Sequence, residues 1–155
     1  MATIQLLKKG YLFEALLPEE LEALAEVITE RDVIAGDYVF DEGATAAALF
    51  IIKSGAVEIL KKGAGGDEQK VAVLSTGSHF GEMAFIDRMP RAAAAMTREN
   101  TKLLELSYEA IDKLIASKPE VGLKIYKALA IVLCHRIRQT TGDLSSLKEL
   151  KLRHV

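Results

Sequence analysis

The chain has 155 residues, a hydrophobic content of 50% and a mean hydropathy of +0.16, which suits one compact domain with a sizeable core. Its net charge of −2 lacks the basic surplus that nucleic-acid binding normally shows. The sequence contains no run of about 18 uncharged apolar residues, which a membrane-spanning helix would need. Because Cys134 is the only cysteine, an internal disulfide is excluded, and we expect a soluble protein of the reducing cytoplasm.

The first third opens with a helical pattern from Pro18 to Ile28, so we expect helices over residues 1–30. From about residue 31 to 107, short β-prone runs recur between turns that contain glycine, which is typical of a sandwich or barrel. The loop 63–67 is predicted to be a mobile hairpin tip. The predicted strands are Tyr38 to Phe40, Leu49 to Lys53, Ala56 to Leu60, Lys70 to Leu74, Ala92 to Met96 and Lys102 to Ser107.

Helical patterns return after residue 107, first from Tyr108 to about Ser117 and then, past Pro119, in a long segment that reaches about residue 150. Gly142 weakens that helix by about 1 kcal/mol and is a point at which it could end or bend. A stripe with 4-3-4-3 spacing can pack on its own domain or pair with a second copy as a short coiled coil. It comprises Leu133, Ile137, Thr140, Leu144 and Leu147.

The segment 81–95 carries the most chemical information. Glycine at 81 lets the backbone approach a ligand, and the helical propensity after it would aim amide groups at negative charge. Arg91 follows a proline and can grip two phosphate oxygens at once, whereas Glu82 is explained by a sugar hydroxyl that donates to it. These residues predict a ligand with a phosphate and a ribose. The alternative is an exposed Glu82–Arg91 ion pair without function.

This segment resembles the phosphate-binding cassette of the cyclic-nucleotide-binding domain family, in the order Phe80-Gly81-Glu82-Met83-Ala84-Phe85 and then Pro90-Arg91-Ala92-Ala93-Ala94. The resemblance extends over residues 12–21, 36–43 and 49–57 and so covers most of the chain. It implies a mainly β fold, a double-stranded β-helix or jelly roll, with N-terminal helices and a long C-terminal helix. We expect one domain over residues 1–155, with the jelly roll at about 31–107 and C-terminal helices at about 108–150.

The resemblance also implies a set of ligand-binding residues. Gly81 and the amides after it, with Arg91 and the Ala92 amide, would hold the cyclic phosphate, and Glu82 would accept from the ribose 2′-hydroxyl. Thr140 and Thr141 stand where the C-terminal helix reaches the purine in catabolite-activator-like members, in which that helix also forms the dimer. The alternative is that a polar residue at a coiled-coil seam sets the register of the two helices. The full predicted set is Phe80, Gly81, Glu82, Met83, Ala84, Arg91, Ala92, Ala93, Thr140 and Thr141. Cyclic AMP is preferred to cyclic GMP, because members that prefer cyclic GMP often have threonine where this chain has Ala92.

We therefore expect a stand-alone, non-catalytic sensor that is a homodimer and acts on an unknown effector protein, without binding DNA directly or entering a membrane. A winged helix-turn-helix would need several tens of further residues. Two alternatives remain: a degenerate domain that binds only protein, and a cupin-type metalloenzyme. The second is disfavoured because the histidines are far apart and form no H-x-H pair, and His79 is expected to be a loop residue beside the cassette. The three histidines are His79, His135 and His154.

Overall fold

The computed structural model describes residues 2–153, with side chains at 3–143 and at 145. The helices are α1 (Ala2–Lys9), α2 (Pro18–Val27), α3 (Met83–Asp87), α4 (Tyr108–Ser117) and α5 (Pro119–Arg153). The strands are β1 (Thr29–Val33), β2 (Tyr38–Phe40), β3 (Ala48–Ser54), β4 (Ala56–Lys62), β5 (Glu68–Ser75), β6 (His79–Phe80), β7 (Ala94–Thr97) and β8 (Thr101–Ser107). The chain thus places a β region between N-terminal and C-terminal helices.

The strands form two antiparallel four-stranded sheets, one in the order β1-β8-β3-β6 and the other in the order β2-β7-β4-β5. Apolar side chains from both sheets meet in the space between them. Phe50 and Phe80 stack there with ring centroids 5.2 Å apart, and Phe40 lies 5.9 Å from Phe80. This two-sheet roll with flanking helices confirms the predicted fold class.

A second core lies between the first sheet and the helices. Strand β3 is buried on both faces: Phe50 and Ile52 point into the roll, whereas Leu49 and Ile51 face the helices. The helices contribute apolar side chains to this second core, namely Leu7, Leu21, Leu24, Ile111, Ile125 and Leu129. Within residues 2–153, no helix is long and apolar enough to cross a membrane.

Most predicted elements coincide with observed ones, but two strands were missed. The predicted strand at residues 38–40 and the helix at 108–117 have the observed bounds. The pattern missed β1, whose sequence TERDV has a single buried residue, Val33, and the two-residue β6. Strand β1 therefore starts at Thr29, inside the range expected to be helical.

Helix α5 has 35 residues and continues through Gly142, so this glycine does not end it. One glycine costs only about 1 kcal/mol, which a long helix tolerates. Leu129, one turn before the predicted stripe, is buried, whereas Leu133 is half-buried and Ile137 is 64% exposed. The stripe therefore packs on its own domain at one end and leaves it at the other. The side chains of Leu144 and Leu147 and residue His154 lie outside the described part.

Candidate ligand-binding site

Gly81 forms the turn between β6 and α3 and has a φ of +84°, a conformation that favours glycine. A Cβ at this position would lie 2.8 Å from Arg91 Nη1 and 3.4 Å from the Ala48 carbonyl oxygen. Glycine is therefore required both by the backbone conformation and by the close approach of Arg91.

Arg91 is a buried cation, with only 7% of its surface exposed. Its Nη1 donates to the Gly81 carbonyl at 2.9 Å and to the Tyr108 hydroxyl at 3.1 Å, and its Nη2 donates to the Ala48 carbonyl at 2.6 Å. The Phe40 ring lies 4.0 Å from Cζ. Burial lowers the pKa of Arg91, although an arginine remains charged at physiological pH.

Two features of Arg91 indicate an anion site. None of the ion pairs found among the described side chains includes Arg91. Its Nε is buried and has no hydrogen-bond partner. A buried charge that is solvated only by dipoles is costly, so an anion that accepts from Nε would relieve both deficits.

Glu82, the residue before α3, is buried with 1% of its surface exposed. Arg136 Nη1, from α5, lies 2.6 Å from Glu82 Oε1, and His79 Nδ1 lies 3.3 Å from Oε2. Burial raises the pKa of Glu82, but the proximity of His79 and the charge of Arg136 more than offset this effect, so the pKa lies below its ordinary value. Although Arg136 is close, its N–H groups do not point at Oε1, which has no hydrogen-bond partner. Glu82 is thus an ionised carboxylate with an unmet acceptor.

Tyr108, the first residue of α4, connects the two halves of the site. Its hydroxyl donates to the Gly81 carbonyl and accepts from Arg91 Nη1. Its ring packs edge-to-face against Phe85 of α3 at 5.4 Å. A displacement of the Arg91 side chain would therefore alter a contact of the first residue of α4.

The structure brings Gly81, Glu82 and Arg91 together and corrects two expectations about them. Glu82 and Arg91 are buried and not paired with each other, so the interpretation as an exposed ion pair is wrong. His79 belongs to strand β6 and contacts Glu82, so its expected loop position is also wrong. Sequence reasoning missed the contacts of Tyr108 and Arg136, because neither belongs to the cassette.

The other predicted residues take different places. Phe80 is part of the core between the sheets, and Ala84 is buried on α3, whereas Met83 is 46% exposed. Ala92 is exposed, and its carbonyl accepts from Lys61 Nζ at 2.7 Å, while Ala93 is half-buried.

Thr140 and Thr141 are exposed on α5, one turn beyond Arg136. Their hydroxyls donate to the carbonyls of Arg136 and Ile137, each at 2.9 Å. The structure thus places these two residues on the helix that reaches Glu82, but with their hydroxyls turned to their own backbone.

Two surface grooves, of about 540 and 440 Å³, lie beside α4, and neither is lined by Glu82 or Arg91, although the first reaches Tyr108. The inward contacts of Arg91 and the contact of Arg136 with Glu82 close the site. Within the described part of the chain, no three His, Cys, Asp or Glu side chains are grouped as a metal ion would require.

Comparison with known proteins decides the family. The sequence profile of the cyclic nucleotide-binding domain matches residues 30–118, which is more than half of the chain. The chain belongs to the cyclic nucleotide-binding domain family. Members of this family are regulatory or sensor domains, and this cyclic nucleotide-binding domain is related to cyclic AMP receptor proteins and to regulatory subunits of cyclic-AMP-dependent protein kinase.

Among its relatives, the Cyclic AMP receptor protein of Thermus thermophilus is 33% identical over 141 residues, covering 91% of this chain and 63% of the relative. Cyclic GMP-binding protein C of Dictyostelium discoideum is 33% identical over 131 residues, covering 77% of this chain and 5% of the relative. The crystal structure of Thermus thermophilus Catabolite Activator Protein superposes with a TM-score of 0.79 at 32% identity, covering 90% of this chain and 63% of that one. The chain therefore spans less than two thirds of the length of these relatives.

Proposed function

We propose that this domain is a sensor that binds a cyclic nucleotide, cyclic AMP in preference to cyclic GMP, and transmits binding through α5 to another protein. Three buried polar atoms of the site have no hydrogen-bond partner, namely Arg91 Nε, Glu82 Oε1 and His79 Nδ1, and the first two carry the proposal. The buried Arg91 Nε is a donor without an acceptor, and the buried Glu82 Oε1 is an acceptor without a donor. A cyclic phosphate supplies the missing acceptor, and a ribose 2′-hydroxyl supplies the missing donor.

Arg91 is the proposed phosphate clamp. Its guanidinium donates hydrogen bonds to the carbonyl oxygens of Gly81 and Ala48. These acceptors are neutral, so the positive charge of Arg91 has no anionic partner there. A phosphate would exchange these neutral acceptors for charged ones, and hydrogen bonds to charged groups contribute about 1.5–3 kcal/mol each. Gly81, with the backbone amides after it and the Ala92 amide, would complete the phosphate contacts.

Glu82 is the proposed acceptor for the ribose. Because its pKa lies below the ordinary range, it is ionised at neutral pH and accepts hydrogen bonds without first losing a proton. If Arg136 returns to Glu82 once the ligand has entered, the buried carboxylate keeps its charged partner and accepts from the neutral hydroxyl as well.

Access to this site requires motion. Glu82 and Arg91 are both buried, so a nucleotide reaches them only if α5 or the Arg136 side chain shifts. A ligand that makes its full contacts in only one arrangement of α5 shifts the population towards that arrangement, with a bias of a few kcal/mol. This coupling is how ligand binding would expose or hide a surface for a partner.

Helix α5 is also the proposed dimer element and the source of purine contacts. Ile137 is 64% exposed, although Leu129, about two turns earlier on the same helix, is buried in its own domain. A second copy of α5 would cover this apolar side chain. Thr140 and Thr141 would then contact the purine once their hydroxyls turn from the helix backbone.

The ribose assignment is tested by comparing cyclic AMP with its 2′-deoxy analogue. We expect the wild type to bind cyclic AMP about 10- to 100-fold more tightly than the analogue, because the analogue lacks the hydroxyl that donates to a charged acceptor. Glu82→Gln keeps an acceptor oxygen but removes its charge, so this ratio should fall to about two- to tenfold. The control is Glu58→Gln, a partly buried carboxylate of the other sheet that also has two cationic partners, Lys70 and Arg98. An unchanged ratio in Glu82→Gln would remove Glu82 from the site, and the absence of binding by the wild type would favour a domain that binds only protein.

A further inference from the structure

Arg88 terminates α3 in a left-handed conformation, with a φ of +57°, and is the one non-glycine residue with positive φ in the described part of the chain. Residues with a side chain adopt this conformation at a cost that glycine avoids. We therefore expect the Arg88 side chain to make a contact that offsets this cost and that glycine could not make.

That contact joins α3 to α4. Arg88 Nη2 donates to both carboxylate oxygens of Asp112, at 3.0 and 2.8 Å. The guanidinium also lies over the rings of Phe85 and Tyr108, with Cζ 5.1 and 5.5 Å from their centroids. Phe85 belongs to α3, and Tyr108 and Asp112 belong to α4, so one side chain holds both helices.

The same two helices flank the proposed phosphate clamp. Tyr108 contacts Arg91 and the Gly81 carbonyl through its hydroxyl, and it contacts Arg88 through its ring. A phosphate that draws Arg91 away would weaken the hydrogen bond between Arg91 and the Tyr108 hydroxyl. The Arg88–Asp112 ion pair lies outside the clamp and would persist.

Helix α4 in turn fits tightly against α5. A Cβ added to Gly122 of α5 would lie 2.7 Å from Ile115 Cγ2 of α4, so the Ile115 side chain packs directly on the α5 backbone. Any movement of α4 is thus passed to the start of α5.

We propose that Arg88 is a positioning residue that ties α3 to α4 through Asp112, so that occupation of the phosphate site moves α4 and α5 together with α3. This inference rests on the proposed function. Because both partners are about half exposed, the pair adds little to stability, and its effect lies in the transmission of ligand binding.

The test combines calorimetric titration with cyclic AMP and hydrogen exchange of residues 108–117, with and without cyclic AMP. The variants are Arg88→Asn, which suits a left-handed position without a guanidinium, and Asp112→Asn, which keeps the shape of the helix residue. The matched control is Lys113→Ala, which breaks an exposed ion pair with Glu109 that lies wholly within α4.

In the wild type and in Lys113→Ala, cyclic AMP should change exchange in α4 equally. In Arg88→Asn and Asp112→Asn this change should fall at least threefold, whereas the affinity for cyclic AMP should fall no more than about fivefold, the most that a half-exposed ion pair supplies. The double variant should lose no more than either single variant, because one contact is removed in each case. Thermal unfolding of each variant checks that the fold is retained.

Two results overturn the inference in different ways. If both variants bind cyclic AMP and α4 responds as in the wild type, the Arg88–Asp112 pair is a surface ion pair and only this inference is wrong. If the wild type itself binds neither cyclic AMP nor cyclic GMP, the proposed function is wrong and the inference is wrong with it.

Discussion

Replacing Gly81 by alanine tests the geometry of the clamp with a single methyl group. The Cβ would lie 2.8 Å from Arg91 Nη1, so the guanidinium must retreat to 3.4 Å or beyond to reach ordinary contact. A matched control exists in Gly36→Ala, because Gly36 has a φ of +85° and a Cβ there would meet nothing within 4 Å. Both variants strain the backbone by about 1–2 kcal/mol, but only Gly81→Ala displaces Arg91.

The displacement has a calculable cost. The Gly81 carbonyl keeps the hydrogen bond from the Tyr108 hydroxyl, so the cost is the loss of one hydrogen bond from a charged donor, about 1.5–3 kcal/mol. We therefore expect urea unfolding, followed by circular dichroism, to show a loss of about 2–5 kcal/mol for Gly81→Ala and about 1–2 kcal/mol for Gly36→Ala. Cyclic AMP should bind at least tenfold more weakly to Gly81→Ala and unchanged to Gly36→Ala. Equal affinity in the two variants would refute the placement of the phosphate between Gly81 and Arg91.

Two further predictions concern acid stability and the purine. The hydrogen bond from Lys124 at 2.7 Å, and then that from the Leu17 amide at 2.8 Å, hold the pKa of buried Glu20 below its ordinary value of 4.5. Because the pKa of Glu20 is lower in the folded state, ionised Glu20 stabilises the fold above pH 4.5, and this contribution is lost as the pH falls through the folded-state pKa. The free energy of unfolding of Glu20→Gln should therefore depend less on pH below 4.5 than that of the wild type. Alanine at both Thr140 and Thr141 should leave the melting temperature unchanged, since each hydroxyl bonds only its own helix, but should weaken cyclic AMP binding about tenfold in a titration. A wild-type affinity in that double variant would place the purine elsewhere.

Local sequence features explain how much of the fold was predictable. Helix α4 was found with its observed bounds because its apolar spacing is helical and Ser107 caps it, accepting from the Ala110 amide. Strand β1 was not found, because three of its five residues are exposed and Val33 alone is buried. Its pairing with β8 is a tertiary property that the run TERDV does not encode by itself.

The candidate site was likewise predictable from the sequence only in part. The cassette motif predicted that Glu82 and Arg91 would share one site, since both follow from a short stretch of sequence. The neighbours that set their electrostatics come from distant segments: Tyr108 from α4 and Arg136 from α5. No local pattern marks either residue, because an Arg on an exposed helix and a Tyr at a helix start are both ordinary.

The most direct measurement is calorimetric titration of the purified protein, first stripped of nucleotide by unfolding and refolding, with cyclic AMP, cyclic GMP and AMP in parallel. The account predicts saturable binding of cyclic AMP, weaker binding of cyclic GMP and none of AMP, whose open phosphate and free 3′-hydroxyl do not match a clamp for a cyclic phosphate. No heat and no shift in melting temperature with either cyclic nucleotide would contradict it, and would leave Glu82 and Arg91 as buried groups that serve only the fold.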